Sequence, residues 1–362
     1  MKTKLFALLF ALLVFAVSVA AAQIALAPYT MDFSSDDLVS IVRPDLLVTL
    51  ARNADGFRSI LGLWENGQKV CETELPNAEN FNYSLFAFSE SFYGAYGIGH
   101  TEDLVSLRFY RFTNGEPELF FSLDTSDYYA PFLSPEAFIL DKGNGQADVY
   151  SWQGERIRTL SLPNAFDLSG IRLQEDGSTL AFGTSADSPY VYRVLRVDAQ
   201  GRFTLDDYPQ AFDPANMQMP YATLSTSGEI LVTNRPRGTN PKTVLLTRID
   251  AQGHLFWQKA LAAPDVIVSL SVVELHDDGS TTLYGRAVAH SKQIYTAFHV
   301  EIDAQGRIAS REFRDCATPA AYDYHLALGA DNRIYLLTDS QVSLVVPFED
   351  LPIHDDPGLM LE

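Results

Sequence analysis

Three stretches of the chain repeat one pattern, and this pattern decides the fold. Residues 190–205 read YVYRVLRVDAQGRFTL, residues 243–257 read TVLLTRIDAQGHLFW, and residues 296–310 read TAFHVEIDAQGRIAS. Each stretch has alternating apolar residues, then Asp-Ala-Gln-Gly, then a second alternating run. A period of two is typical of β-strands, and Asp followed by Gly favours a tight turn between them. Each stretch therefore predicts a β-hairpin.

The spacing of these hairpins indicates a repeat architecture. The turn glycines Gly201, Gly253 and Gly306 lie 52 and 53 residues apart. A second turn, containing Gly177, Gly228, Gly279 or Asn332, recurs between them and precedes another alternating run. Each unit therefore has two hairpins, which together form the four-stranded antiparallel meander of a propeller blade.

Weaker copies of the unit precede these repeats, with turns at Asn66-Gly67, Asn114-Gly115 and Gln153-Gly154. The predicted blades span residues 38–75, 83–123, 128–162, 168–208, 221–261 and 268–314. A seventh unit begins near Asp323 and supplies at most three strands, so Ile24–Met31 is predicted to complete it beside Gln341–Pro347. The prediction is an all-β, seven-bladed propeller of four-stranded antiparallel blades, the last closed by an N-terminal strand. A β-sandwich or two β domains is the alternative, but no linker interrupts the repeat.

The N-terminus reads as an export signal. Lys2 and Lys4 precede an apolar run over residues 5–19, and three alanines then precede Gln23. We predict a Sec-type signal of bacterial character at 1–22, a single propeller domain at 23–350 and an acidic tail at 351–362. The mature protein is then secreted or otherwise extracytoplasmic, with no membrane span after signal cleavage. A retained anchor is the alternative, although the run is short for a membrane-spanning helix.

Charge and cysteine content narrow the function classes. The formal net charge of −20 disfavours nucleic acid as a partner, because phosphates attract basic surfaces. Cys71 and Cys316 are the two cysteines. They could pair in an oxidising compartment, but a seventh blade between them predicts that they stay unpaired.

One repeat carries a family resemblance. Residues 250–257, DAQGHLFW, resemble the quinoprotein-like propeller repeat, in which a Trp follows the Gly four residues on. The wider pattern resembles exported bacterial propellers with quinoprotein-like or WD40-like blades. Counting from the glycine places Leu205 and Ser310 where the other two repeats would carry Trp. The resemblance implies the fold and no cofactor.

Sequence motifs for chemistry are absent. The chain has no Gly-x-Ser-x-Gly, His-Glu-x-x-His, phosphate-loop or Cys-x-x-Cys pattern. No catalytic residue, metal ligand or cofactor is therefore predicted.

The candidate ligand site comes from propeller geometry instead. Both tight turns of each blade lie on one face, the turn face, and the longer connections lie on the other, the long-loop face, where ligands usually bind. Aromatic and cationic residues in or beside those loops form the predicted site: Arg235, Arg237, Lys242, His290, Lys292, His100, Tyr128, Tyr221 and Tyr322. Its cations could bind an anionic group, whereas a solvated, charge-balanced rim is the alternative.

These observations predict a monomeric, non-catalytic binding scaffold with an extracellular protein or glycan as its partner. The alternative is an enzyme whose polar residues converge at the channel mouth from several blades, such as a quinone-dependent oxidoreductase or a glycan or lactone hydrolase. Such a site leaves no local motif.

Overall fold

The computed structural model describes most of the chain beyond residue 30. The described residues are 30–31, 38–43, 45–52, 59–76, 81–100, 104–126, 130–134, 137–142, 145–162, 166–173, 176–185, 188–208, 217–225, 227–236, 243–251, 254–264, 266–289, 294–316, 324–338 and 343–361. The predicted signal lies outside them.

The N-terminal half forms a short first strand and three blades. The first strand is β1 (Thr30–Met31). Blade 1 contains β2 (Leu38–Arg43), β3 (Leu46–Arg52), β4 (Ser59–Glu65) and β5 (Gln68–Glu74). Blade 2 contains β6 (Phe81–Ser89), β7 (Phe92–His100), β8 (Val105–Thr113) and β9 (Glu116–Thr125). Blade 3 contains β10 (Ala130–Leu133), β11 (Ala137–Asp141), β12 (Gln146–Ser151) and β13 (Arg156–Ser161).

The Asp-Ala-Gln-Gly repeats form the next three blades. Blade 4 contains β14 (Phe166–Leu173), β15 (Thr179–Ser185), β16 (Ser188–Val197) and β17 (Phe203–Tyr208). Blade 5 contains β18 (Met217–Leu224), β19 (Ile230–Pro236), β20 (Val244–Ile249) and β21 (Leu255–Ala262). Blade 6 contains β22 (Ile267–Leu275), β23 (Thr281–Ala289), β24 (Ile294–Ile302) and β25 (Ile308–Asp315). Every strand pairs antiparallel with its neighbour, which confirms the predicted meanders.

The seventh blade closes the ring as predicted. It contains β26 (Tyr324–Leu328), β27 (Ile334–Thr338) and β28 (Ser343–Pro347). Strand β1 is the fourth strand of this blade, with Thr30 opposite Leu344 and Met31 opposite Ser343. A buried cluster of Ile41, Leu47, Tyr335 and Leu337 then joins blade 7 to blade 1. The remainder of the predicted closing strand, residues 24–29, lies outside the described residues.

The repeated turns have the geometry that their residues favour. In the turn of blade 6, Gly306 has a φ of 78° and donates its N–H to Asp303 O at 2.9 Å. The Asp303 carboxylate accepts the backbone N–H of Gln305 at 3.0 Å and of Arg307 at 2.9 Å. The Arg307 N–H lowers the pKa of Asp303, with smaller contributions from the Arg307 side chain and from Gln305. This aspartate therefore holds a turn, as the motif predicts.

Residues 351–361 form a segment that we call the C-terminal strap. A 3₁₀ turn at Phe348–Asp350 leads into it from blade 7. The strap crosses the outer strand of blade 6, where His354 donates its N–H to Phe313 O at 2.9 Å. It ends as β29 (Met360–Leu361), a fifth strand on the outer edge of blade 5, with Met360 opposite Ala262 and Leu361 opposite Leu261. The strap thus ties blade 7 to blades 6 and 5.

Two further sequence expectations concern the cysteines and the membrane. Cys71 is half-buried and Cys316 is buried, and the two form no disulfide, as the seven-bladed count predicts. Among the described residues, no helix has the length and apolar character needed to cross a bilayer.

Candidate functional site

The structure leaves the predicted long-loop site largely undescribed. The following predicted residues lie outside the described part of the chain: Tyr128, Arg237, Lys242, His290, Lys292 and Tyr322. The backbones of His100, Tyr221 and Arg235 lie in strands β7, β18 and β19. Their side chains are not described, so the long-loop site stays a prediction.

A different feature stands out on the turn face, at the interfaces between blades 4, 5 and 6. In the interface between blades 5 and 6, Arg248 reaches from β20 across to both turns of blade 6. Its Nη1 donates to Gly279 O at 2.7 Å and to Ala304 O at 2.8 Å. Its Nη2 donates to the Glu229 carboxylate at 2.7 Å. The Arg248 side chain is 5% exposed, so this guanidinium works as an internal clasp.

The interface between blades 4 and 5 uses the same clasp one blade earlier. Arg196 Nη2 donates to Ala251 O at 2.6 Å and to Gly228 O at 3.4 Å. These acceptors are the blade 5 counterparts of those that Arg248 uses in blade 6. Both arginines stand two residues before the turn aspartate, in Arg-Val-Asp and Arg-Ile-Asp. The repeated turn therefore has a second role, because the carbonyl of its alanine accepts the clasp.

Strand register shows which side chains accompany each arginine. Residues directly opposite on neighbouring antiparallel strands place their side chains on the same face of the sheet. Arg248 lies opposite Leu231 and Trp257, whereas Arg196 lies opposite Leu180 and Thr204.

This register corrects the counting from the turn glycine, which equates Trp257 with Leu205. Blade 5 has a bulge between Arg248 and Ile249 that leaves Phe256 without an opposite residue, and blade 4 pairs without a shift there. The residue of blade 4 that corresponds to Trp257 is therefore Thr204.

The indole of Trp257 fills the interface between blades 5 and 6. A Cβ built on Gly306 would lie 3.1–3.2 Å from atoms of this indole, so the ring packs on the turn of blade 6. Trp257 is 8% exposed and belongs to a buried cluster that blades 5 and 6 share. The Trp that follows the glycine in this repeat therefore packs on the turn of the next blade.

At the two positions that carry Trp257 and Glu229 one blade later, the interface between blades 4 and 5 has small side chains, and a groove lies beside them. Thr204 replaces the indole, and Ser178 stands in the position that Glu229 occupies after Gly228. The groove has a volume of about 540 Å³ and is lined by Asp176, Ser178, Thr179, Leu180, Arg196, Val197, Asp198, Arg202, Thr204 and Ser227. The groove therefore lies beside two small side chains, whereas blade 5 has larger side chains at the equivalent positions.

The two carboxylates of the groove, Asp176 and Asp198, accept hydrogen bonds within its turns. The Ser178 hydroxyl and N–H lower the pKa of Asp176. Desolvation would raise the pKa of Asp198, but hydrogen bonds from Arg202 and Gln200 lower it overall. Arg202 Nε also pairs with the Asp198 carboxylate at 2.6 Å. At neutral pH both aspartates are thus ionised and used in holding the walls of the groove.

The interface between blades 6 and 7 differs again, because Glu301 occupies the position of the clasp arginines. His299 Nε2 lies 2.7 Å from its carboxylate, and the Thr282 hydroxyl donates to both carboxylate oxygens at 2.9 and 3.0 Å. His276 Nε2 lies 2.7 Å from Thr282 Oγ1. The carboxylate accepts only, so His299 is the donor to it. Among the described residues, no group of three or more His, Cys, Asp or Glu side chains is placed to hold a metal ion.

Comparisons with known proteins bear on the fold. No protein-family model matches the chain, and no curated protein sequence matches it either. Among solved structures, the chain is similar to Chaetomium thermophilum Raptor, with a TM-score of 0.51 and 11% identity over 90% of this chain and 29% of that one. It is also similar to BamB from Moraxella catarrhalis, with a TM-score of 0.45 and 12% identity over 90% of this chain and 98% of that one. For the dihydro-heme d1 dehydrogenase NirN in complex with DHE, the TM-score is 0.47, with 15% identity over 92% of this chain and 65% of that one.

The Raptor likeness shows the fold alone. Together with the seven sheets and the packing of Trp257 on the next blade, the fold confirms the resemblance to quinoprotein-like and WD40-like propellers at the level of architecture.

Proposed function

We propose that the protein is a non-catalytic binding scaffold acting outside the cytoplasm, and that the groove between blades 4 and 5 is one of its binding sites. The observation that carries this proposal is the groove itself. It is a concavity of ligand size between two blades, on a ring whose first and last described strands both pair with its sheets.

The walls of the groove support this proposal because they are held from both sides. Arg158 of blade 3 donates to Gly177 O at 2.7 Å and also bonds to the Thr179 hydroxyl, which anchors the blade 4 turn. Arg196 anchors the two turns of blade 5. A site whose walls are already ordered loses little conformational entropy on binding.

Filling the groove tests this function. Thr204→Trp should restore a ring where blade 5 has Trp257 and should lower the affinity of any groove ligand by about tenfold or more, because ring and ligand need the same space. The measurement is saturation-transfer NMR with a panel of aromatic, aliphatic, anionic and neutral small molecules. Ser310→Trp is the matched control, since Ser310 lies opposite Glu301 at the corresponding position of blade 6. Binding that Thr204→Trp leaves unchanged, or no binding by the wild type, contradicts the proposal.

The long-loop cations are proposed as a second surface, for an anionic protein or glycan. Replacing Arg235 and Arg237 together with alanine should weaken the binding of an acidic polysaccharide such as alginate by about tenfold, with a nearly unchanged melting temperature. Isothermal titration calorimetry at low salt measures the affinity. Arg307→Ala is the control, because it removes an exposed cation from the turn face outside the groove. Equal affinities for the double variant and the wild type would remove this surface from the proposal.

A further inference from the structure

The C-terminal strap is held by a charged contact with the outer strand of blade 6. Arg311 Nη1 lies 2.9 Å from Asp356 Oδ2 and donates to Leu359 O at 2.8 Å. Asp356 Oδ1 in turn accepts the N–H of Gly358 at 2.8 Å and of Leu359 at 2.9 Å. One arginine of blade 6 therefore binds both the carboxylate and the backbone of a turn in the strap.

This turn places a leucine between blades 5 and 6. Leu359 is 0% exposed and belongs to the buried cluster that also contains Trp257 and Phe313. Gly358 precedes it with a φ of 86°, and a Cβ built there would lie 3.3 Å from Pro264 Cδ, so the position favours glycine. Leu359 is thus the apolar anchor of the strap.

The third contact is the pairing of β29 with β21, and it uses one end of a longer strand. Strand β21 has eight residues, and β29 pairs with Leu261 and Ala262. At the other end of β21, Leu255 and Phe256 are 51% and 53% exposed. Two large apolar side chains are therefore half-exposed on the same strand to which the strap adds.

Charge distinguishes β21 from the outer strands of most other blades. It carries one charged residue, Lys259, whereas β5, β9, β13, β17 and β25 carry two or more each. Charged residues on an edge strand protect it against pairing with another chain. Strand β21 has little of this protection, and β29 shows that its edge accepts an added strand.

We propose that the outer edge of blade 5 is a docking site for an extended segment of a partner protein, and that the strap is its autoinhibitory occupant. The strap defines the chemistry of that segment. It needs an aspartate for Arg311, a leucine three residues later for the buried cluster of blades 5 and 6, and a strand that pairs antiparallel with β21. An acidic residue of that strand lies opposite Lys259. This site is distinct from the groove between blades 4 and 5, and the inference does not depend on a ligand there.

A partner segment has to compete with a strap that belongs to the same molecule. A tethered strap acts at an effective concentration on the order of millimolar, so a free peptide that makes only the same contacts loses the competition. A segment that continues along β21 beyond Leu261 adds strand pairs and covers Leu255 and Phe256. Length along β21 therefore allows a partner to displace the strap.

Two labelled peptides test the proposal on the full chain by fluorescence anisotropy. The short peptide has the sequence of residues 355–361, Asp-Asp-Pro-Gly-Leu-Met-Leu, and the long one continues with Thr-Glu-Thr-Val-Thr-Val. We expect the long peptide to bind the wild type with a Kd of about 100 μM or tighter, and the short one at least tenfold more weakly. N-methylation of the added residues keeps their side chains but removes the donors of strand pairing, so it should abolish this difference. A long peptide that does not bind, or that binds equally well when N-methylated, overturns the proposal.

Two variants release the strap in different ways. Leu359→Asp removes the apolar anchor, and Met360→Pro removes a strand pair at a side chain that is 44% exposed. Each should raise the affinity of the short peptide by about tenfold or more, because the competing strap is gone. Ile353→Asp is the matched control, since Ile353 is 81% exposed in the same strap, and it should leave the affinities of both peptides unchanged. If neither variant raises the affinity of the short peptide, the strap is not autoinhibitory.

A second copy of the chain is the alternative occupant. Exchange of straps between two copies would give a dimer whose proportion rises with concentration. Sedimentation equilibrium measures this proportion, and we expect a monomer for the wild type and for Leu359→Asp. A wild-type dimer that Leu359→Asp dissociates would assign the site to a second copy and overturn the partner assignment.

Discussion

Arg248→Met is expected to lower the free energy of unfolding by about 3–5 kcal/mol, the range for breaking a buried ion pair by removing one partner. The substitution keeps most of the apolar stem but removes every hydrogen bond of the guanidinium. It leaves the Glu229 carboxylate and the carbonyls of Gly279 and Ala304 without this donor, at an interface that is largely desolvated. Urea denaturation followed by tryptophan fluorescence and circular dichroism measures the loss.

Arg202→Met is the matched control, because it removes an arginine from a turn in the same part of the ring. The Arg202 side chain is 81% exposed and pairs with Asp198, so its loss should cost less than about 1 kcal/mol. Adding Glu229→Gln to Arg248→Met should recover part of the loss, since it removes the stranded charge. Equal effects of Arg248→Met and Arg202→Met would show that the clasp does not stabilise the interface.

The sequence predicts the blades well because their signals are local. Asp303 and Gly306 form a turn through backbone contacts within five residues, and the flanking alternation defines each strand. The seven-bladed count follows from spacing, and the closing strand follows because an unpaired blade edge needs a partner.

The groove is harder to predict because it depends on a bulge and on contacts between blades. Counting from Gly201 gives Leu205 as the counterpart of Trp257, whereas the strand register gives Thr204. The difference of one residue comes from the bulge at Phe256 in the neighbouring blade. The sequence does contain one signal, because a Trp four residues after the glycine occurs in a single Asp-Ala-Gln-Gly repeat and the other two repeats have no Trp there. The sequence also shows the recurrent Arg before the turn aspartate, but it does not show which backbone carbonyls this Arg contacts in the next blade.

The structure of the strap is difficult to predict from the sequence for a related reason. The apolar residues of 351–361 are interrupted by two prolines and two aspartates, so no strand period is visible. Its contacts are nevertheless specific. Arg311 Nη1 donates to Leu359 O at 2.8 Å and pairs with Asp356 at 2.9 Å. Asp356 in turn accepts the N–H of Gly358 and of Leu359. The strap is therefore ordered by its contacts with blades 5 and 6 and not by a local strand pattern.

Leu359→Asp is therefore expected to release the strap and to lower the free energy of unfolding by about 3–5 kcal/mol, through lost apolar burial and a charge that cannot stay buried. Leu359 is 0% exposed within the cluster of blades 5 and 6. Denaturant titration measures the loss, and limited proteolysis with mass spectrometry should show faster cleavage after residue 351. Ile353→Asp is the control, because Ile353 lies in the same strap and is 81% exposed. It should change stability by less than about 0.5 kcal/mol. If both variants behave alike, the strap does not hold the outer edge of blade 5.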